Sequence, residues 1–336
     1  MIIRNRLYDK GLLKSYSFPL PIITVGNLNT GGTGKTPHIE YLLGKIIAMD
    51  KKVAVLSRGY GRNSRGFLEV DVTSDPEITG DEPLQLKQKF SAAGVFVSEN
   101  RVKGVKMLLK KYPQTDVILL DDAMQHRAIK AGLTILLTNY NDLFVDDYVL
   151  PAGNLREPKS GSKRSDIIIV TKCPDHFNLI SEENIVNKIG LNVPILFSKT
   201  AYASLVSLNN APPISLDKIG KHELLLITGI ADASNILEFL NNKSEKIHHI
   251  AFADHHQYCE KDLNEIKSKF NNFAKSNMIL VTTEKDAVKL RTEKFKSLIN
   301  SLPFYYLPIE VLFETVHAKK INGLIYEYVG KNFSNS

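Results

Sequence analysis

The run Gly31-Gly32-Thr33-Gly34-Lys35-Thr36 carries the clearest chemistry in the chain. Glycines let a backbone wrap so tightly that several N–H groups point at one phosphate. A helix N-terminus behind them adds partial positive charge. In such a loop Lys35 bridges the terminal phosphates of a nucleotide and the Thr36 hydroxyl binds Mg²⁺. Pro37 falls in the first helical turn, where its missing N–H costs little. The loop departs from the common G-x-x-x-x-G-K-[ST] pattern, because Asn29 stands where the first glycine would be. It is closer to x-G-G-x-G-K-T, with Thr30 as the leading residue. Thr30, Gly31, Gly32, Thr33, Gly34, Lys35 and Thr36 are therefore the expected phosphate-binding residues.

Other residues could complete a phosphoryl-transfer site. Val117–Leu120 is an apolar run ending in Asp121-Asp122, and ligands collect at the carboxyl ends of strands in open α/β sheets. One of these aspartates can hold Mg²⁺; the alternative is a pair that caps the next turn. Asp81, in Gly80-Asp81-Glu82-Pro83, reads either as a helix N-cap or as a general base for an acceptor hydroxyl. Asp254-His255 reads as a carboxylate orienting an imidazole, or as a structural histidine. Arg156, between Pro151 and Pro158, could clamp a phosphate bidentately or pair with Glu157 or another neighbour. Ser57–Arg62 is a second Gly/Arg loop whose arginines could meet an anionic head group.

Positioning these residues requires strands that end together. Pro21–Val25, Val53–Leu56, Val95–Val97, Val117–Leu120, Leu133–Leu137, Ile167–Val170 and Pro194–Phe197 are Val-, Ile- and Leu-rich with little alternation. That pattern suits parallel strands buried on both faces. Helix patterns fall between them, as in His38–Met49 and Asn100–Tyr112. A turn-rich stretch around Asn209–Pro213 follows. Beyond it comes a second series: strand Leu224–Ile227, helix Asp232–Asn241, strand Ile247–Phe252, helix Lys261–Ala274 and strand Met278–Val281. The expectation is an α/β nucleotide-binding domain, a P-loop NTPase-like parallel sheet with helices on both faces, over residues 1–205. A smaller α/β domain over 206–336 would complete the cleft. The polar tail Lys331–Ser336 is expected to fray.

The formal net charge of +7 favours an anionic partner such as a nucleotide, an acidic substrate or a lipid surface. Nucleic acid is not expected, since no helix-turn-helix, zinc-finger or RNA-sheet signature is present. Cys173 and Cys259 have no metal-site or disulfide spacing, which fits a reducing cytoplasm. No run of roughly 18 apolar residues predicts a spanning helix. Arg4 and Arg6 interrupt the first apolar stretch too early for a signal peptide. Two basic amphipathic stretches, Met1–Lys14 and Arg101–Lys111, could lie on anionic lipid; the second also reads as an ordinary surface helix. A monomer is expected.

Taken together, these motifs resemble the tetraacyldisaccharide 4'-kinase family, the lipid A 4'-kinases. The resemblance runs almost end to end. It is carried by Val25-Gly26-Asn27 with Gly31–Pro37, Ser57–Arg62, Gly80–Pro83, Asp121-Asp122-Ala123-Met124-Gln125-His126, Leu150–Pro158, Val170-Thr171-Lys172, Asp254-His255 and Thr282-Thr283-Glu284-Lys285-Asp286. It implies two α/β domains joined by a short β linker. It also implies transfer of the ATP γ-phosphoryl group to the 4'-hydroxyl of an acylated glucosamine disaccharide 1-phosphate, giving lipid IVA. The enzyme would be peripheral, at the cytoplasmic face of the inner membrane.

The resemblance assigns nucleotide and Mg²⁺ binding to Lys35 and Thr36, and organisation of the metal to Asp121, Asp122 and Glu157. It makes Asp81 and His255, the latter after Asp254, the pair that accepts the hydroxyl proton. Arg156 would stabilise charge on the transferring phosphoryl. Family members usually begin with a longer amphipathic helix than Met1–Lys14. The rival reading is a membrane-bound assembly or switch ATPase with no small-molecule acceptor. It leaves Asp254-His255 unexplained, and in that group a lysine stands where Thr30 is here.

Overall fold

A computed structural model describes residues 1–244, 246–273 and 277–331. Its strands in chain order are β1 (Ile22–Asn27), β2 (Val53–Ser57), β3 (Leu68–Glu69), β4 (Gly94–Val97), β5 (Val117–Asp121), β6 (Leu133–Asn139), β7 (Ile167–Thr171) and β8 (Ile195–Tyr202). They continue with β9 (Val206–Ser207), β10 (Glu223–Thr228), β11 (Ile247–Ala251), β12 (Met278–Thr283), β13 (Phe304–Leu307) and β14 (Ile309–Phe313). The predicted strands are found within a few residues. Those at the site run on by one or two polar residues, because pairing continues past the apolar run. Ala274, expected at a helix end, and residues 332–336 lie outside the described residues.

Nine strands form the larger sheet, ordered β14-β8-β7-β6-β1-β5-β2-β4-β3. β1 lies between β5 and β6 and is parallel to both. β1, β2, β5 and β7 are buried at every position, because helices cover both faces. Alternate side chains serve the two layers. Ile23, Val25, Val55 and Leu119 pack with Ile39, Leu43 and Ile46 of the helix Lys35–Ile47. Ile22, Leu56, Ile118 and Leu120 pack with Val105 and Leu108 of the helix Arg101–Lys111. That second helix is thus half core. Its first residue, Arg101, is buried rather than facing solvent.

The smaller sheet runs β11-β10-β12-β13-β9, parallel except for β9. Two antiparallel pairings connect the sheets. β8 pairs with β14 from Ser198↔Phe313 to Tyr202↔Ile309, and β9 pairs with β13. Ala203 N–H donates to the Pro308 carbonyl at 3.2 Å between them. The β linker is therefore a two-stranded ribbon crossed in both directions.

The division expected at 205/206 differs from this arrangement at the C-terminus. β14 joins the larger sheet, and Ile321, Ile325 and Val329 of the helix Thr315–Gly330 enter the same core as Ile39 and Val55. A short apolar strand followed by a helix has the same local pattern in either sheet, so periodicity could not assign it.

Gly26, inside β1, carries a close backbone approach. A Cβ there would meet Met124 Cβ at 2.8 Å and Met124 N at 2.9 Å. Gly26→Ala should therefore lower stability by about 1–3 kcal/mol. A reduced urea midpoint with unchanged slope is the expected result.

Candidate active site

The glycine-rich loop leaves β1 at Asn27 and enters the helix at Lys35. Gly34 sits at φ +78°, a left-handed conformation that a glycine adopts freely. The loop is pinned from several sides. Asn27 Nδ2 donates to the Gly31 carbonyl at 3.2 Å, and Thr171 Oγ1, at the end of β7, donates to the Thr33 carbonyl at 3.0 Å. His38 lies 2.7 Å through Nδ1 from the Gly34 carbonyl and 3.1 Å through Nε2 from Ser198 Oγ. Burial lowers its pKa to about 4. Neutral His38 thus donates to the loop and accepts from the serine. Lys35 Nζ lies 3.5 Å from Asn27 Oδ1 and 3.9 Å from Asp122 Oδ1.

The Pro151–Pro158 segment lies along the lead-in to this loop. Thr30 N–H donates to the Asn154 carbonyl and Arg156 N–H to the Leu28 carbonyl, both at 2.7 Å. Asn29 is 1% exposed, and its amide reaches Asp142 and Asp147 at 3.3 Å each. A glycine could not make those contacts, which accounts for the departure at this position. Arg156 forks onto Asp122 with two bonds of 2.9 Å, and also reaches the Asn29 carbonyl and Asn27 Oδ1. Its ion pair is with Asp122, not Glu157.

Glu157 departs from the metal-binding expectation. It is fully buried, and both oxygens are taken by Arg164 at 2.7 and 2.8 Å, Gln125 at 3.0 Å and Asn5 at 2.8 Å. The carboxylate therefore ties the Arg156 loop to the helix Ile2–Asp9 and to the turn after β5. Arg62 is likewise committed, to Glu99 and the Gly66 carbonyl at 2.6 Å each, whereas Arg58 is exposed.

The two aspartates differ. Asp121 Oδ2 accepts from Ser57 Oγ at 3.1 Å, while its buried Oδ1 has no hydrogen-bond partner among the described residues. Burial, then the adjacent Asp122 charge, push its carboxyl up. Asp122 is at φ +46°; burial pushes its carboxyl up, but Lys35 and Arg156 outweigh this and hold it below its ordinary value. Glu82 is pushed up to about 7 by burial and by the Asp121 charge. The orphaned, desolvated oxygen on Asp121, with the Thr36 hydroxyl at the helix start, fits a divalent cation. Mg²⁺ keeps several waters and takes few protein ligands.

Asp81 and His255 come together from opposite units. Asp81 is the first residue of the helix Asp81–Lys89, with Gly80 as its cap, so the N-cap expectation was one residue out. His255, at φ +56°, lies in the loop after β11. His255 Nδ1 is 3.1 Å from Asp81 Oδ2, and Asp254 Oδ2 is 4.0 Å from Nε2. Burial pushes the Asp81 carboxyl up, but His255 and Lys285 outweigh it and the net shift is down. The Asp81 hydrogen bond raises His255 against burial. Lys285, not singled out from the sequence, reaches His255 Nε2 at 3.1 Å and Glu82 at 3.8 Å. Lys89 bridges Glu40 at 2.6 Å and Glu284 at 3.0 Å, further joining the units. The roles of Glu82 and Lys285 had no sequence signal beyond lying inside the Gly80–Pro83 and Thr282–Asp286 segments.

A parallel sheet with a glycine-rich loop between its central strand and the next helix, and an aspartate ending the neighbouring strand, defines a P-loop nucleotide-binding protein. The chain belongs to the tetraacyldisaccharide-1-P 4'-kinase family, whose model matches residues 1–326. A relative from Flavobacterium psychrophilum named tetraacyldisaccharide 4'-kinase is 42% identical over 338 residues, 99% of this chain and 94% of the relative. One of that name from Bacteroides fragilis is 43% identical over 343 residues, covering 99% and 90%. The crystal structure of LpxK from Aquifex aeolicus in complex with ATP matches with a TM-score of 0.75 at 30% identity, across 97% of this chain and 94% of that one.

Replacing Glu157 tests its structural role. Glu157→Ala leaves Arg164 without its partner and should destabilise the fold by about 3 kcal/mol, measured by urea unfolding. Loss of activity with unchanged stability would show that the carboxylate acts in the site rather than in the scaffold.

Proposed function

We propose that this chain transfers the γ-phosphoryl group of ATP to the 4'-hydroxyl of an acylated glucosamine disaccharide 1-phosphate, forming lipid IVA. The observation that carries the reading is the Asp81–His255 contact, made across two units beside the phosphate loop. A nucleotide switch has no use for such a pair, whereas transfer to a hydroxyl needs a proton acceptor.

The Thr30 and Thr33 N–H groups are held by the Asn154 and Gly31 carbonyls at 2.7 and 2.9 Å, against the expectation that both donate to phosphate. The other loop N–H groups as far as Thr36 and the Lys35 ammonium receive the nucleotide phosphates. Asp121 and Thr36 would hold Mg²⁺, which when bound neutralises charge on phosphate oxygens. Asp122 keeps Lys35 and Arg156 beside the loop, and Arg156 supplies fixed positive charge as the phosphoryl group moves. Asp81 takes the hydroxyl proton as the O–H bond breaks. The oxygen then bonds to the γ-phosphorus while the bond to the β–γ bridging oxygen breaks. His255 orients Asp81, and Asp254 braces His255 by accepting its backbone N–H at 3.0 Å.

Membrane attachment belongs to the same proposal. The helix Ile2–Asp9 exposes Ile2 and Ile3, with Leu12 just beyond, among Arg4, Arg6, Lys10 and Lys14. Basic and apolar groups together suit a peripheral position on anionic lipid at the cytoplasmic face of the inner membrane. No helix of the described residues is long and apolar enough to cross a membrane.

The test is ATP-dependent phosphorylation of the acylated disaccharide 1-phosphate. The unmodified chain should form product, and Asp81→Ala and His255→Ala should each lower kcat by about 10²-fold or more. No phosphorylated lipid from the unmodified chain would sink the assignment. ATP turnover without acceptor should be slow, because the base serves only the hydroxyl; fast uncoupled turnover would count for the switch reading.

A further inference from the structure

Lys285 is the second residue of the helix Glu284–Leu290, which starts where β12 ends. Its ammonium lies 3.1 Å from His255 Nε2, 3.7 Å from Asp254 Oδ1 and 3.8 Å from Glu82 Oε1. An ammonium has three donors and no acceptor. A ring nitrogen 3.1 Å away must therefore offer its lone pair. A proton on that nitrogen would set two positive donors against each other. The single ring proton is left to Nδ1, which faces Asp81 Oδ2 at 3.1 Å.

We infer that Lys285 is a positioning residue that keeps His255 Nε2 bare and so selects the tautomer that donates from Nδ1 to Asp81. The inference rests on the proposed phosphoryl transfer for its purpose, though not for its geometry. The consequence is a division of labour. His255 orients through Nδ1, and Asp81 stays an ionised carboxylate able to accept the hydroxyl proton.

The helix that carries Lys285 also fixes the backbone of its target. Asp286 is fully buried and accepts from Gly229 N–H at 2.8 Å and Thr283 Oγ1 at 2.7 Å, with Lys289 at 2.8 Å. The Gly229 carbonyl in turn accepts from His255 N–H at 3.2 Å. Ring and ammonium are thus referenced to one helical turn, and a side-chain contact of this kind keeps its geometry only with such support.

The groups facing His255 are Asp81 from the helix Asp81–Lys89, Asp254 from its own loop, Lys285, and the Tyr60 ring at 5.3 Å, while Glu82 faces Lys285. Asp81, with a smaller contribution from Asp254, favours the doubly protonated ring and outweighs burial and Lys285, so the net shift is up and the ammonium limits it. Removing the ammonium shifts that balance toward imidazolium.

Ring nitrogen chemical shifts of the ¹⁵N-histidine-labelled full-length chain test this, with His255→Gln supplying the assignment. Near neutral pH the unmodified chain should show a bare Nε2 and a protonated Nδ1. Lys285→Met should show a proton on Nε2. Lys285→Arg, which also only donates, should keep the original pattern. The acid limb of the kcat profile should move up by about one pH unit in Lys285→Met, with KM for ATP unchanged. A protonated Nε2 in the unmodified chain overturns the inference, as does an unchanged tautomer in a folded Lys285→Met. The shifts are read without substrate. Failure of the kinase assignment would appear in the lipid assay and leave the tautomer result standing, and a misfolded Lys285→Met would leave the unmodified chain's reading decisive.

Discussion

The Asp81–His255 contact is the constraint on which the rest of the molecule turns. Its partners are 174 residues apart and come from elements built on different sheets. A hydrogen bond of 3.1 Å tolerates little displacement. The two units must therefore be held in a nearly fixed relation whenever the pair is made. The β8–β14 and β9–β13 ribbon supplies a connection crossed twice, which resists twisting more than one strand would. The helix Glu284–Leu290 supplies the second tie, through Lys89 to Glu284 and Lys285 to Glu82.

Charge at the site follows from one requirement, which is to hold a polyanion beside carboxylates. Lys35 and Arg156 would collapse onto any anion in reach. Asp122 occupies both, and its fork on Arg156 keeps the guanidinium flat beside the loop. Glu157 is free of that task and is spent on scaffold contacts. Asp121 and Glu82 remain raised because burial, with the Asp122 charge acting on Asp121 and the Asp121 charge on Glu82, outweighs nearby cations. Desolvated charge of this kind is costly without a partner and strong with one. The strained left-handed backbones at Asp122 and His255 fit this picture, since such conformations persist where surrounding contacts over-determine them.

Local features were legible in the sequence, and distant ones were not. The loop Gly31–Thr36 and the strand-end aspartates follow from spacing within one βα unit, where neighbours in sequence are neighbours in space. Asp81 and His255 each had an acceptable structural reading, and only resemblance joined them. The partner of Arg156 was ambiguous for the same reason: adjacency favoured Glu157, while Arg156 turns to Asp122 and Glu157 to Arg164, both distant or out of register in the sequence. The segment after residue 206 was grouped whole with the smaller unit, yet β14 pairs with β8 in the larger sheet, because a hydrophobic pattern reports burial but not the identity of the covering layer. Asn29 looked like a missing glycine until Asp142 and Asp147 were seen beneath it.

Placing the groups that orient the proton acceptor on a different unit from the phosphate loop has a physical consequence. Lys35, Asp121 and Asp122 lie on the larger sheet and the turns at its carboxyl edge, so the phosphates can be neutralised there without the smaller unit. His255 and Lys285 come from the smaller one, and they orient the base only when the units meet. On the proposed assignment, water entering an open cleft would find charge neutralisation but no oriented base, whereas an acceptor sugar that fills the cleft would find both. Since phosphoryl transfer depends on positioning more than on covalent chemistry, this separation is itself a selection for the hydroxyl over water.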